Sequence, residues 1–148
     1  MFDIENIDRR VEMFIFDIIV AILKIEKVSS KFDNPQDLLY SFTDWDSVIR
    51  EFEIIGEASK YLLKDNLLEN HYRKVVDFRN LISHGYFGID EYQVWDVIYN
   101  NLDDLKYTII EIINSLDKKE KNQLIDDFIE DNKYLDFVVK FLENLKGE

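Results

Sequence analysis

Four side chains that could act together on a phosphodiester lie close together in the middle of the sequence. Arg79, Asn80, His84 and Tyr86 form the pattern R-N-x-x-x-H-x-Y. Histidine can accept and donate a proton near neutral pH, and arginine is a permanent cation whose planar donor groups suit phosphate. Together the two residue types favour proton transfer and charge stabilisation at a phosphate group.

These residues also have a simpler interpretation. An arginine and a histidine on an amphipathic helix are often a solvated ion pair and a hydrogen-bonded core imidazole, and Tyr86 could be an ordinary packing residue. Helical geometry adds a constraint, because 100° per residue puts Asn80 and His84 on one face but Arg79 and His84 about 140° apart. Two copies of the helix around a symmetry axis could bring Arg79 of one chain to His84 of the other. This geometry predicts a homodimer.

The charge distribution favours a selective nucleic-acid contact. The net charge of −13 opposes loose binding to phosphates, which supply most non-specific affinity. Residues 71–86, however, carry Arg73, Lys74 and Arg79 against Asp77, a local +2, so the rest of the chain carries −15. We expect Arg73 and Lys74 to assist in binding a particular RNA, and a basic partner to suit the acidic faces.

The elements that must position these residues are helices. Apolar residues three and four positions apart predict helices over about 4–28, 35–42, 43–66, 71–84 and 90–116, with two more after Asp117. Asn34-Pro35 and Asp117 are start signals, Thr43 with Asp46 and Asp90 with Gln93 have capping-box form, and Gly85 predicts a stop. Since no strand-like alternation occurs, the sequence predicts an all-α, up-and-down helical bundle.

Two features of these helices predict tertiary contacts. The helix over 4–28 is apolar nearly all round, which predicts a central place in the bundle or burial in a subunit interface. Gly56 lies inside a helix at a cost of about 1 kcal/mol relative to alanine. Its position therefore predicts that a neighbouring helix or the substrate approaches closely there.

The sequence argues against several other functions. It contains no cysteine, no glycine-rich phosphate loop and no H-E-x-x-H motif, and its two histidines, His71 and His84, are thirteen positions apart. We therefore expect no metal and no cofactor, and a surface position for His71. The acidic N-terminus and the interruption of the first apolar stretch by Asp17 and Lys24 fit neither a signal peptide nor a membrane span, so a cytoplasmic location is expected.

The central pattern resembles the signature of the HEPN ribonucleases, and of HepT-like toxins in particular. Residues 50–58, REFEIIGEA, are similar to the family's R-x-x-E-I-I-G-E-A helix. Residues 85–90, GYFGID, followed by VWDVI at 94–98, are similar to its H-G-Y-x-x-I-D…V-W-D-x-I segment. The resemblance covers about residues 44–116. We accordingly predict a HEPN-type bundle over 1–116 and a helical C-terminal extension over 117–148 that packs on the same domain.

The resemblance implies a function for each residue of the pattern. It implies a HepT-like toxin of a toxin–antitoxin pair, a metal-independent endoribonuclease in which His84 transfers protons, Arg79 stabilises charge on the phosphate, and Asn80 orients His84 or a phosphate oxygen. It also implies a homodimer, a minimal nucleotidyltransferase antitoxin as partner, and Tyr86 as the site to which that partner attaches AMP. The substrate would be RNA and not DNA. Two alternatives remain open: a non-catalytic HEPN module that binds a nucleotide or serves the nucleotidyltransferase, and a structural helical adaptor.

Overall fold

The fold is built from helices throughout the residues that the computed structural model describes, 4–84 and 88–147, with side chains described over 11–83 and 88–147. These residues contain no strand, which confirms the all-α prediction. The α-helices are α1 Ile4–Ser29, α2 Pro35–Tyr40, α3 Phe42–Lys64, α4 Arg73–His84, α5 Glu91–Asn100, α6 Leu102–Ser115, α7 Lys118–Asp131 and α8 Asp136–Lys146, and a short 3-10 helix, Asn70–Tyr72, precedes α4. Across the described ranges, no helix is long and apolar enough to cross a membrane.

Helix α1 is the centre of the bundle. Ile18, Ile19 and Ile22 are completely buried, and α3, α6, α7 and α8 all pack against this helix. Phe16 stacks on Phe128 of α7 with ring centroids 5.3 Å apart. The apolar character of α1 is therefore explained by enclosure within one chain, with the C-terminal helices supplying part of the cover. This enclosure removes the apolar first helix as an argument for a subunit interface.

The helix boundaries follow the start signals with two corrections. Asn34 caps α2 by accepting a hydrogen bond from the Asp37 amide at 2.9 Å, as its position predicts. The capping box predicted at Thr43 is wrong, because α3 begins one residue earlier, and Ser41 donates its hydroxyl to Asp44 at 2.6 Å instead.

The single helix predicted over 90–116 is also wrong, because the chain leaves helical geometry at Asn101 (φ −123°, ψ −32°). The break lets α5 pack on α2 while α6 packs on α1. One straight helix could not follow both partners. Asp90 is the N-cap residue of α5, and its side chain accepts a hydrogen bond from the Tyr92 amide at 2.9 Å.

Helix α4, which carries the R-N-x-x-x-H pattern, is fixed mainly by α3. Phe78 of α4 meets Phe52 of α3 edge to face, with ring centroids 5.1 Å apart. Beside this contact, an apolar cavity of about 410 Å³ lies between α4, α5 and α6, and Phe52 and Ile55 of α3 also line it. Leu81 lines this cavity and is 48% exposed. The helix is thus packed on one side and open on the other.

Candidate active site

The backbone of α4 lies unusually close to α3 at Gly56. A Cβ atom on Gly56 would lie 2.1 Å from the Cβ of Arg79 and 2.6 Å from its Cγ, much shorter than any normal contact. Only glycine leaves room for the stem of Arg79 at this point. The predicted close approach at Gly56 is confirmed, and the residue that approaches is Arg79.

The guanidinium group of Arg79 is oriented by two neighbours. Its Nη2 lies 3.4 Å from Oε2 of Glu57, and its Nη1 donates to Oδ1 of Asn80 at 3.1 Å. Nε is buried and has no acceptor among the described residues. With 31% of the side chain exposed, the stem is packed and the far end stays open to solvent. Asn80 therefore contacts Arg79, and its part in orienting His84 or a phosphate oxygen stays a prediction.

The open end of Arg79 lines a cavity of about 330 Å³ between α1, α3 and α4, which we call the Arg79 hollow. Its α3 side is formed by Arg50, Glu53, Ile54 and Glu57, which share one face because they are three, four and seven positions apart. The remaining lining residues are Phe14, Asp17 and Ala58. Arg50 was not among the predicted site residues, although its seven-residue spacing from Glu57 could have indicated a shared face.

The two cations predicted to bind substrate lie elsewhere. Lys74 lines the 410 Å³ apolar cavity on the other side of α4, together with Asp77 and Leu81. Arg73 is exposed in the first turn of α4 and lines neither cavity. The fold therefore does not bring Lys74 together with Arg79. The part of Arg73 and Lys74 in substrate binding stays a prediction.

His84 is the last residue of α4, and its side chain lies outside the described part of the structure. Helical geometry places position 84 about 60° around the axis from position 81 and about 140° from position 79. Tyr86 lies within residues 85–87, also outside the described residues.

The other histidine, His71, is a surface residue as predicted. Half of its side chain is exposed, its ring lies 4.0 Å from that of Tyr72, and its nitrogens lie 3.3 Å from Glu69 and 3.8 Å from Asp104. Elsewhere in the described ranges, no three histidine or carboxylate side chains are grouped as a metal site would require.

A smaller cavity of about 190 Å³ joins the C-terminal extension to the site. It shares Asp17 and Ile54 with the Arg79 hollow and is also lined by Glu51 of α3 and by Asp131 and Asn132 at the end of α7. Burial raises the pKa of Asp17. Burial also raises the pKa of Glu51, against the opposing charges of Lys24 and Arg50. The C-terminal extension, through Asp131 and Asn132, therefore helps to enclose the carboxyl groups of Asp17 and Glu51 next to the Arg79 hollow.

We expect Glu51→Gln to stabilise the protein at pH values where the wild-type carboxyl group is ionised. Because the pKa of Glu51 is higher folded than unfolded, its contribution to stability is fully present below the ordinary carboxyl pKa and is lost as pH rises through the raised value. The variant should therefore melt higher than wild type at about pH 8 and nearly equally at about pH 4. Thermal melts across this range measure the effect. Glu53→Gln, an exposed change on the same helix, is the control, and an equal effect of both variants would contradict the prediction.

Comparison with known proteins explains why these residues occur together. A family model described as ribonuclease HepT-like matches residues 18–112, well over half of the chain. The chain belongs to this family. The match contains Arg50, Gly56, Glu57, Arg79 and His84, so the close contact between α3 and α4 lies inside the family region. Helices α7 and α8 of this HepT-like chain lie beyond it.

Individual relatives carry ribonuclease names. A Methanocaldococcus jannaschii protein named "gamma-glutamylcyclotransferase and putative RNase" is 32% identical over 116 residues, which are 76% of this chain and only 52% of that relative. A second protein of the same organism, named a "putative RNase", is 28% identical over 66% of this chain and 92% of its own. A Thermococcus cleftensis protein named "probable ribonuclease HepT" is 36% identical over 40% of this chain and 57% of its own. No solved structure matched the HepT-like chain.

Proposed function

We propose that this protein is the toxin of a toxin–antitoxin pair and a metal-independent endoribonuclease. The observation that carries the proposal is the orientation of Arg79, whose guanidinium group contacts Glu57 and Asn80 while its far end stays open to the Arg79 hollow. A cation held in this way suits a phosphate whose charge increases during reaction, because little reorganisation is then needed. Membership of the ribonuclease HepT-like family supports the same chemistry.

In the proposed reaction the RNA supplies its own nucleophile. His84 accepts the proton of a ribose 2′-hydroxyl as that oxygen attacks the adjacent phosphorus. The bond to the 5′-oxygen of the next nucleotide breaks, and that oxygen takes a proton from water while His84 later releases its own to solvent. Arg79 stabilises the charge that accumulates on the phosphate oxygens. The products are a 2′,3′-cyclic phosphate and a 5′-hydroxyl. DNA is not a substrate, since it lacks the attacking hydroxyl.

Incubation of the purified protein with RNA in EDTA tests the proposal. We expect cleavage with 2′,3′-cyclic phosphate ends, and no cleavage of a DNA strand of the same sequence. Intact RNA accompanied by a tight nucleotide complex would favour the non-catalytic HEPN module. Intact RNA with no nucleotide bound would favour the structural helical adaptor.

We expect a homodimer in which two α4 helices share one cleft, because positions 79 and 84 diverge around the helix axis. Light scattering should give twice the chain mass of 17.8 kDa. A wild-type monomer that cleaves RNA would contradict the shared cleft.

We also expect a minimal nucleotidyltransferase antitoxin to inactivate the protein by transferring AMP to Tyr86. The tyrosine hydroxyl would attack the α-phosphate of ATP and release pyrophosphate, leaving a bulky anion two positions from His84. This group would compete with substrate phosphate for Arg79 by charge and by volume.

Co-expression with the antitoxin should add one or more AMP masses to the tryptic peptide that contains Tyr86 and should abolish cleavage. Tyr86→Phe should remain an active nuclease that the antitoxin cannot inactivate. Tyr92→Phe, at an exposed tyrosine outside the pattern, should be modified and inactivated like wild type. Modification and inactivation of Tyr86→Phe would place the switch at another residue.

A further inference from the structure

Two arginines line the Arg79 hollow, and among the described residues only Arg79 forms an ion pair within 4.0 Å, while the charge of Arg50 acts on the buried carboxyl group of Glu51. Arg79 contacts Glu57 and Asn80. Arg50, from α3, is exposed and forms no ion pair within 4.0 Å in the described part of the chain. A cation of this kind is free to bind an anion without first breaking an existing contact.

The spacing of the two arginines is set by the helices. Arg50 precedes Glu57, the partner of Arg79, by seven residues, which is two turns or about 10.5 Å along one face of α3. Ile54 lies between them on that face, and Phe14 and Ala58 complete an apolar floor. The hollow therefore has a cation near each end, and the exposed side chain of Arg50 can adjust its distance from Arg79 to that between two RNA phosphates.

The hollow also contains three carboxylates, beside its two arginines. Glu57 is shared between Arg79 at 3.4 Å and Lys60 at 3.3 Å. Asp17 is half-buried, and burial raises its pKa. Glu53 is exposed and is the carboxylate of the hollow nearest to Arg50 along α3. We therefore expect a phosphate to reach Arg50 from solvent, on the side of its guanidinium group away from Glu53.

We propose that the Arg79 hollow is a subsite for a second RNA phosphate, which Arg50 binds while Arg79 holds the phosphate that reacts. This inference rests on the proposed ribonuclease function and adds to it how the RNA strand is positioned. Binding two phosphates on one face of α3 fixes the direction of the strand, so the scissile bond is presented to the α4 helices in one orientation.

The test uses a labelled single-stranded RNA whose 2′-hydroxyls are methylated, so that binding is measured without cleavage. Fluorescence anisotropy over a range of salt concentrations should show that Arg50→Gln weakens binding about tenfold at low salt. The slope of log affinity against log salt should fall by about 0.7, the value for one lost phosphate contact on a single strand. Arg50→Lys, which keeps the charge, should retain most of the slope.

Two controls separate this subsite from general electrostatics and from folding. Lys119→Gln removes one exposed cation far from the hollow, because Lys119 lies about 18 Å along α7 from Asp131, a lining residue of the neighbouring cavity. This variant should leave the slope of log affinity against log salt unchanged. With cleavable RNA, Arg50→Gln should raise KM about tenfold and leave kcat within about twofold. An unchanged slope for Arg50→Gln, or an equal loss for Lys119→Gln, would overturn the subsite. Because binding is scored without cleavage, an inactive protein that shows the Arg50 effect would refute the nuclease and keep the subsite.

Discussion

Replacement of His84 by alanine should reduce RNA cleavage by about 10²–10⁴-fold, the usual contribution of a positioned proton-transfer group. Of the residue types in the R-N-x-x-x-H-x-Y pattern, histidine is the one whose ordinary pKa lies near neutral; those of arginine and tyrosine are about 10 or higher, and asparagine does not titrate. Position 84 ends α4, so the substitution removes no interior turn of helix. Single-turnover cleavage at saturating RNA, with circular dichroism to check folding, measures the effect.

The chain offers a matched control, because it has one other histidine. His71→Ala should remain active, since His71 is half exposed and lies on the 3-10 helix before α4. Arg79→Lys should fail like His84→Ala, because one ammonium group cannot reproduce the contacts of Arg79 with both Glu57 and Asn80 and still present donors to phosphate. A folded His84→Ala protein that cleaves at the wild-type rate would refute the catalytic assignment.

Replacement of Gly56 by alanine should impair catalysis although Gly56 has no side chain to react. The new methyl group would meet the Cβ of Arg79, which is fixed to the α4 backbone and cannot rotate away. The helices must therefore separate, and a displacement of about 1 Å in a catalytic group can cost about 100-fold in rate. The free energy of unfolding should fall by about 0–2 kcal/mol, since overpacking costs about 1–3 kcal/mol and alanine restores about 1 kcal/mol of helix propensity.

Cleavage rates and urea unfolding test this prediction, and Gly147→Ala is the control. A Cβ on Gly147 would meet only the Asn144 carbonyl, at an ordinary 3.6 Å, so this variant should match wild type in both measurements. Combining Gly56→Ala with Arg79→Gly removes the collision, so the double variant should be more stable than the sum of the single effects, and it should remain inactive. Wild-type cleavage by Gly56→Ala would show that Arg79 does not depend on this contact.

Local patterns were sufficient to predict most of the helices. The three- and four-residue spacing of apolar side chains, the cap at Asn34 and the start at Asp117 depend on neighbours within one or two turns, so they can be interpreted without knowing the fold. The R-N-x-x-x-H-x-Y pattern is equally local. The same is true of the cost of a glycine inside a helix, which predicted a close contact at Gly56 without naming its partner.

The tertiary structure decided the contacts between residues far apart in the sequence. That Arg79 is the side chain at Gly56, that Arg50 shares its hollow, and that Lys74 faces another cavity follow from the angle and register at which α4 meets α3. Tertiary packing also decided that the C-terminal helices enclose α1 and that the helix breaks at Asn101. Both depend on contacts that several helices make at once. Helical periodicity specifies which side chains share a face, whereas the neighbour that covers the face is chosen by the packing of the whole chain.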